Sequence, residues 1–306
     1  MTTKPKDIDN IQDAFKDLSC EIRLLENRFL AIGMDYQFYL GHLSSEDPFY
    51  ELRDNISYRL FCAKHHVELL LRQHSIIEHR FEDIYKKTPD KILADIYPSN
   101  PIFDYAEKEI SGIFDSLIYH LVSIFDYIGT LTNYICGQRK QDSLTWTSLV
   151  SSVRDTNNSF SKTTIVNTIT SVDNDFVKKL YDHRSHLIHK KGEINRSHIN
   201  FTLQEGNFSV SYISTRSLNK QFSILRKESK DSHLTIKYVA FWLVKKTILE
   251  ASTVLFALKS EIKNTPADKR KAGLVLGIMD PQTHILVSPS DAYWHLDEYE
   301  KLKSSP

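Results

Sequence analysis

The sequence predicts an all-α dominated protein: a bundle of four to five long helices with a small β-hairpin insertion and a short C-terminal β-containing extension. Three observations predict it. Apolar residues recur at three- and four-residue intervals over several long stretches, breaks rich in Pro and Gly separate those stretches, and only one segment of any length alternates with the period of two that strands require. Over 306 residues, a 41% hydrophobic content with 15 Tyr and 16 Phe supplies a core without help from metals or disulfides.

The first helix is expected over residues 9–40, where Ile11, Phe15, Leu18, Ile22, Leu25 and Phe29 form one stripe and Asp13, Lys16, Glu21 and Glu26 face water. A break at Gly41 to Pro48 precedes a second helix over 49–85, carrying Leu60, Val67, Leu70, Leu71 and Ile77. At 1.5 Å per residue such rods are about 50 Å long, and they bury their stripes most simply against one another. A third helix opens with Asn100 as cap and Pro101 at its first position, where the missing amide costs nothing. Its stretch from Ile110 to Ile135 is the most apolar in the chain and is the expected centre of the bundle.

Residues 141–170 are rich in Ser, Thr and Asn and read as an irregular connection, with a short helix anchored by Trp146 and Leu149. A fourth helix is expected from about Asp173 to Gly192, with Lys190 and Lys191 in its last turn. Residues 198–215 alternate around a Glu-Gly turn as a β-hairpin, which needs the bundle or another chain to lie against. A fifth helix over 232–262 carries Tyr238, Phe241, Leu249 and Leu255, and a second small hairpin surrounds Pro281 and Gln282 before an acidic, fraying end. The helical body therefore covers 1–263, with the hairpin as an insertion, and the extension covers 264–306.

Lys plus Arg equals Asp plus Glu, at 39 each, so attraction to a polyanion has to come from a local patch. The N-terminal residues hold no apolar run of signal-peptide type, and the longest apolar stretches fall far short of the roughly 20 residues that span a bilayer. Cys20, Cys62 and Cys136 form no CxxC pair and read as reduced, buried side chains. These features predict a cytoplasmic protein with no membrane association.

The local patch exists in FVKKLYDHRSHLIHKKG, where Lys178, Lys179, His183, Arg184, His186, His189, Lys190 and Lys191 surround the single acid Asp182. Histidine exchanges protons near neutrality, and arginine offers phosphate oxygens a rigid, permanently charged fork. Together they suit RNA hydrolysis by attack of the ribose 2′-hydroxyl on the adjacent phosphate, a reaction that needs no metal. On a helix, Arg184 and His189 lie about 140° apart, so one narrow face cannot present both. A neighbouring helix or a second copy of the chain has to complete the cleft.

The segment Arg184-Ser185-His186-Leu187-Ile188-His189, with a polar residue after the arginine and long helices around it, resembles the HEPN superfamily, whose hallmark is an arginine followed four to six residues later by a histidine. The resemblance implies a bundle of four or five helices and a homodimeric, metal-independent endoribonuclease from a toxin–antitoxin, antiphage or RNA-processing setting. It makes Arg184 the holder of the scissile phosphate, His189 the general acid or base, and Ser185 their support. His186, Lys190 and Lys191 are then placed to bind substrate. RNA, a second copy and a neutralising protein are the partners it implies, with no cofactor. Other members are non-catalytic helical modules that bind RNA, a nucleotide or a protein partner, and that is the alternative reading.

Spacing alone does not select Arg184, because Arg59 with His65 or His66, Arg72 with His79 and Arg226 with His233 stand at similar distances. Its place on a late helix among lysines does. The bland reading of the patch is a charged helix C-terminus, where the helix dipole favours lysines and the three histidines are surface groups. Asp126 is a candidate to hold Arg184 or a histidine, or else sits at the bundle margin. Residues 65–80 hold four histidines without HExxH or structural-zinc spacing, Gly273 and Gly277 lack a phosphate-loop setting, and GxSxG is absent.

Overall fold

The computed structural model describes residues 5–40, 48–88, 101–136, 144–189, 194–202, 207–230, 233–264 and 277–294. Helices dominate: α1 Ile11–Leu40, α2 Pro48–Lys87, α3 Pro101–Cys136, α4 Trp146–Arg154, α5 Val166–Val172, α6 Lys178–His189, α7 Arg216–Gln221, α8 Ser223–Ser229, α9 Ile236–Asn264 and α10 Asp291–Trp294. Two antiparallel hairpins accompany them, β1 Ile194–Thr202 with β2 Asn207–Ser214, and β3 Ile278–Met279 with β4 Leu286–Val287. This is the helix-dominated class with small β elements that the periodicities predict. Among the described residues no helix is long and apolar enough to cross a membrane.

The chain forms two compact units, and the boundaries between them fall inside helices. One comprises residues 1–16, 61–122 and 179–245; the other comprises 17–60, 123–178 and 246–306. In the first unit, Val67, Leu70, Ile77 and Phe81 of α2 are buried, as are Ile110, Phe114, Leu117 and Leu121 of α3. The spacing of both sets is that of one helical face, which is why an amphipathic helix results. The β1–β2 hairpin starts four residues before the expected point and runs in register from Ile194↔Ser214 to Thr202↔Asn207, with an irregularity near Arg196. Its expected turn lies outside the described residues. The Val210 amide donates to Glu78 of α2 at 3.0 Å and the Ser214 amide to the Leu234 carbonyl at 2.9 Å, so the hairpin is tied into this unit.

The N-terminal residues are pinned here too. The Lys6 amide donates to the His233 carbonyl and the Thr235 amide to the Lys6 carbonyl, and Asp7 accepts from the Thr235 hydroxyl at 2.7 Å while pairing with the Lys237 ammonium at 3.0 Å. His74 of α2 is buried against the Tyr212 ring, 5.3 Å between centroids, and its Nδ1 donates to the Leu70 carbonyl. Burial lowers its pKa to about 4, with the Leu70 bond opposing the shift.

In the second unit, Leu18, Ile22, Leu25 and Phe29 of α1 are buried as their spacing requires, along with Ile124, Phe125, Ile128 and Leu131 of α3. The α3 helix docks the start of α4 against its backbone. A Cβ on Gly129 would come within 2.8 Å of the Leu144 carbonyl oxygen, Thr130 Oγ1 donates to that oxygen at 3.3 Å, and Asp126 accepts from the Trp146 amide at 3.3 Å. The C-terminal end is not wholly frayed: Asp35, fully buried on α1, accepts from Ser290 Oγ at 2.5 Å and Trp294 Nε1 at 2.8 Å. Residues 295–306 lie outside the described residues.

Two expectations are corrected. Leu249 of α9 is exposed, and the buried positions include Val239, Leu243, Ala251 and Leu255; this helix is apolar around most of its circumference, so periodicity does not single out its inner face. Of the three cysteines, Cys20 is exposed and Cys62 and Cys136 are half-buried, so they are not a set of core thiols.

Candidate functional site

The helix that carries the Arg-to-His segment begins earlier than expected. It starts as α5 and passes through a π-turn over Asp173–Val177 before becoming α6. Such a turn inserts one residue into the helical ladder and rotates the residues after it by about 100°, a device found often at functional sites. The turn is anchored at its first residue: the buried Asp173 carboxylate accepts from Trp146 Nε1 and pairs with Arg154, each at 3.0 Å.

On α6, Leu180, His183 and Leu187 recur at three and four residues and are buried. His183 therefore lies in the core, and the expectation of a surface group is corrected. Its ring is 6.5 Å from Phe114 and 5.9 Å from Phe222. Burial lowers its pKa to about 4; the neighbouring Gln221 amide opposes the shift and His186 adds to it. At neutral pH His183 is uncharged, which removes it from proton exchange in that range.

One residue further on, about 100° around the helix, Arg184 is half-buried and reaches the surface. Its guanidinium carbon stands 5.0 Å from the centroid of the Tyr119 ring of α3, a cation–π arrangement. Its Nε is buried and has no acceptor among the described residues. A guanidinium resting on a ring keeps its N–H groups in its own plane, and with Nε buried it is the terminal Nη groups that can offer a fork to a carboxylate or phosphate.

Ser185 is exposed and His186 half-buried, the latter lying nearly parallel to His183 at 6.5 Å. The backbone of His189 ends the last turn of α6, and its side chain, like Lys190 and Lys191, lies outside what is described. Asp126, considered as a support for Arg184, accepts from the Trp146 amide at the start of α4. Among the described residues no group of three or more His, Cys, Asp or Glu side chains is arranged to hold a metal ion.

Tyr119 is not legible in the sequence as part of the site. It stands on a different helix, far before Arg184 in the chain, and no spacing rule links the two; the one sequence signal is an aromatic residue on the polar side of the otherwise apolar α3. What the arrangement can do chemically is bind an anion beside an aromatic face. Compared with known proteins, the chain matches no family model, no curated protein and no solved structure.

Proposed function

We propose that the chain is a metal-independent endoribonuclease of the HEPN type, acting as a homodimer in a toxin or antiphage setting. The observation that supports this reading best is the pose of Arg184: half-buried and stacked on Tyr119, on a helix rich in His and Lys. In the reaction the 2′-hydroxyl attacks the adjacent phosphorus, passes its proton to a base, and the P–O5′ bond breaks as the leaving oxygen takes up a proton. Products end in 2′,3′-cyclic phosphate and 5′-hydroxyl. Arg184 offsets the charge that builds on the phosphorane oxygens, and His189 carries the proton. Because about 140° separates the two around the helix, the pair acts across a cleft to which a second copy contributes.

The test is cleavage of a mixed single-stranded RNA pool in EDTA by wild type, Arg184→Ala and His189→Ala at matched folding and oligomeric state. Cyclic-phosphate ends that disappear in both variants are the expected result. A folded dimer that leaves RNA intact, or cleavage unchanged in both variants, overturns the reading and places the chain among non-catalytic helical modules.

A further inference from the structure

The α3 helix carries a feature that the Arg184 site does not use. Tyr105, Gly112 and Tyr119 follow one another at intervals of seven, so they fall within about 40° of one another around the helix and span about 21 Å of its length. Both rings are exposed, Tyr105 to 60% and Tyr119 to 41%, in a helix whose other large side chains are mostly buried. Lys108 is exposed on the same side. Between the rings the surface is bare: a Cβ on Gly112 would meet nothing within 4 Å. Of the neighbouring acids, Glu109 is bonded to Gln73 of α2 and one oxygen of Asp115 is buried. At the Tyr119 end the stripe runs into the Arg184 guanidinium.

Two aromatic faces separated by an open shelf, flanked by cations, suit a nucleic acid whose bases are unstacked. Every base has a π-face, and stacking on protein aromatics is the main attraction in single-strand grooves that cover about 4–16 nucleotides. In a duplex those faces are occupied by neighbouring bases. We propose that the exposed face of α3 is a track for single-stranded RNA, with Tyr105 and Tyr119 stacking bases and Arg184 taking the phosphate beside Tyr119. The track rests on the phosphate-binding role of Arg184 for its endpoint, and on Tyr105, Lys108 and Gly112 for its course.

The experiment is fluorescence anisotropy of a labelled single strand of about 12 nucleotides, within the range such grooves cover, and of a duplex of the same length, with all proteins carrying His189→Ala to suppress turnover. Tyr105→Leu and Tyr119→Leu are each expected to weaken single-strand binding about tenfold, with Tyr105→Phe and Tyr119→Phe retaining it. Gly112→Glu is expected to weaken it as well, although glutamate is the better helix former and the variant should melt no lower than the parent. Duplex binding should be weaker than single-strand binding and insensitive to the tyrosine changes. If Arg184→Ala weakens binding while the Tyr and Gly112 variants bind like the parent, the track is wrong and the Arg184 reading stands. Loss in the tyrosine variants with none in Arg184→Ala keeps the track and overturns the phosphate role. A parent that binds no single strand, or a duplex equally sensitive to the tyrosines, overturns the track.

Discussion

His183 makes a stability prediction that does not depend on any reading of function. Its pKa is lowered to about 4 by burial, whereas in the unfolded chain it returns to an ordinary value near 6.5. The folded state therefore holds its neutral form, and its contribution is fully present above pH 6.5 and is lost as pH falls toward 4, because the unfolded chain binds the proton first. Between about pH 7.5 and 5.0 the loss comes to about 2 kcal/mol from this one group. His183→Leu keeps an apolar side chain of similar size between Phe114 and Phe222 and removes the proton linkage. Urea unfolding of parent and variant at several pH values across that window reads the effect. The stability gap should shift in favour of the variant by about 2 kcal/mol between the first and last pH. A gap that stays constant across the series would refute a buried, neutral His183. His74, buried and lowered to about 4 as well, is present in both proteins and supplies the acid sensitivity that persists in the variant.

Substitutions at three further positions test the packing. Gly129→Ala drives a methyl into the Leu144 carbonyl and the Trp146 amide, at 2.8 and 3.0 Å, and should cost about 1–2 kcal/mol after the roughly 1 kcal/mol gain in helix propensity is offset. Gly112→Ala, on the same helix but facing open space, should stabilise by up to about 1 kcal/mol, and the two melting temperatures should move in opposite directions. Asp35→Ala leaves the buried Ser290 hydroxyl and Trp294 indole without their acceptor. It should destabilise by about 3–4 kcal/mol and shift tryptophan emission to the red, with Asp35→Asn, which keeps one acceptor oxygen, falling between.

The long helices are legible in the sequence because α1, α2 and α3 each have one apolar stripe against a polar remainder, as Leu18–Ile22–Leu25–Phe29 shows on α1. In α9 that contrast is missing, and Leu249 falls on the face opposite to the one expected. The short α7 and α8 are not among the expected elements, although Thr215 as a cap and Leu218, Phe222 and Leu225 at helical spacing are there to be read. The π-turn at Asp173 leaves no mark in composition; it depends on Trp146 and Arg154 holding that carboxylate, which are contacts made by folding. At the site, the arginine and its surroundings can be picked out from sequence, whereas Tyr119 and the role of Asp126 cannot. Both depend on which face of α3 meets which neighbour.

The burial of His183 narrows what α6 can do. Three histidines follow one another at intervals of three, and an interval of three turns the helix by about 300°, so each successive position lies about 60° back from the last. With His183 fixed in the core, His186 comes to the margin, as its partial exposure shows. Arg184 leaves the core on the opposite side, where Tyr119 receives it. The histidine nearest Arg184 in sequence is thus the one that cannot exchange a proton at neutral pH, and ideal helix geometry puts position 189 about 140° around from position 184. In the proposed mechanism, a single copy of α6 would therefore keep Arg184 and the proton-carrying His189 apart. Two copies facing each other can place the arginine of one against the histidine of the other, so the nuclease reading and the dimer reading stand or fall together. A monomer seen by light scattering at tens of micromolar, still cleaving RNA with loss in Arg184→Ala and His189→Ala, would break that link.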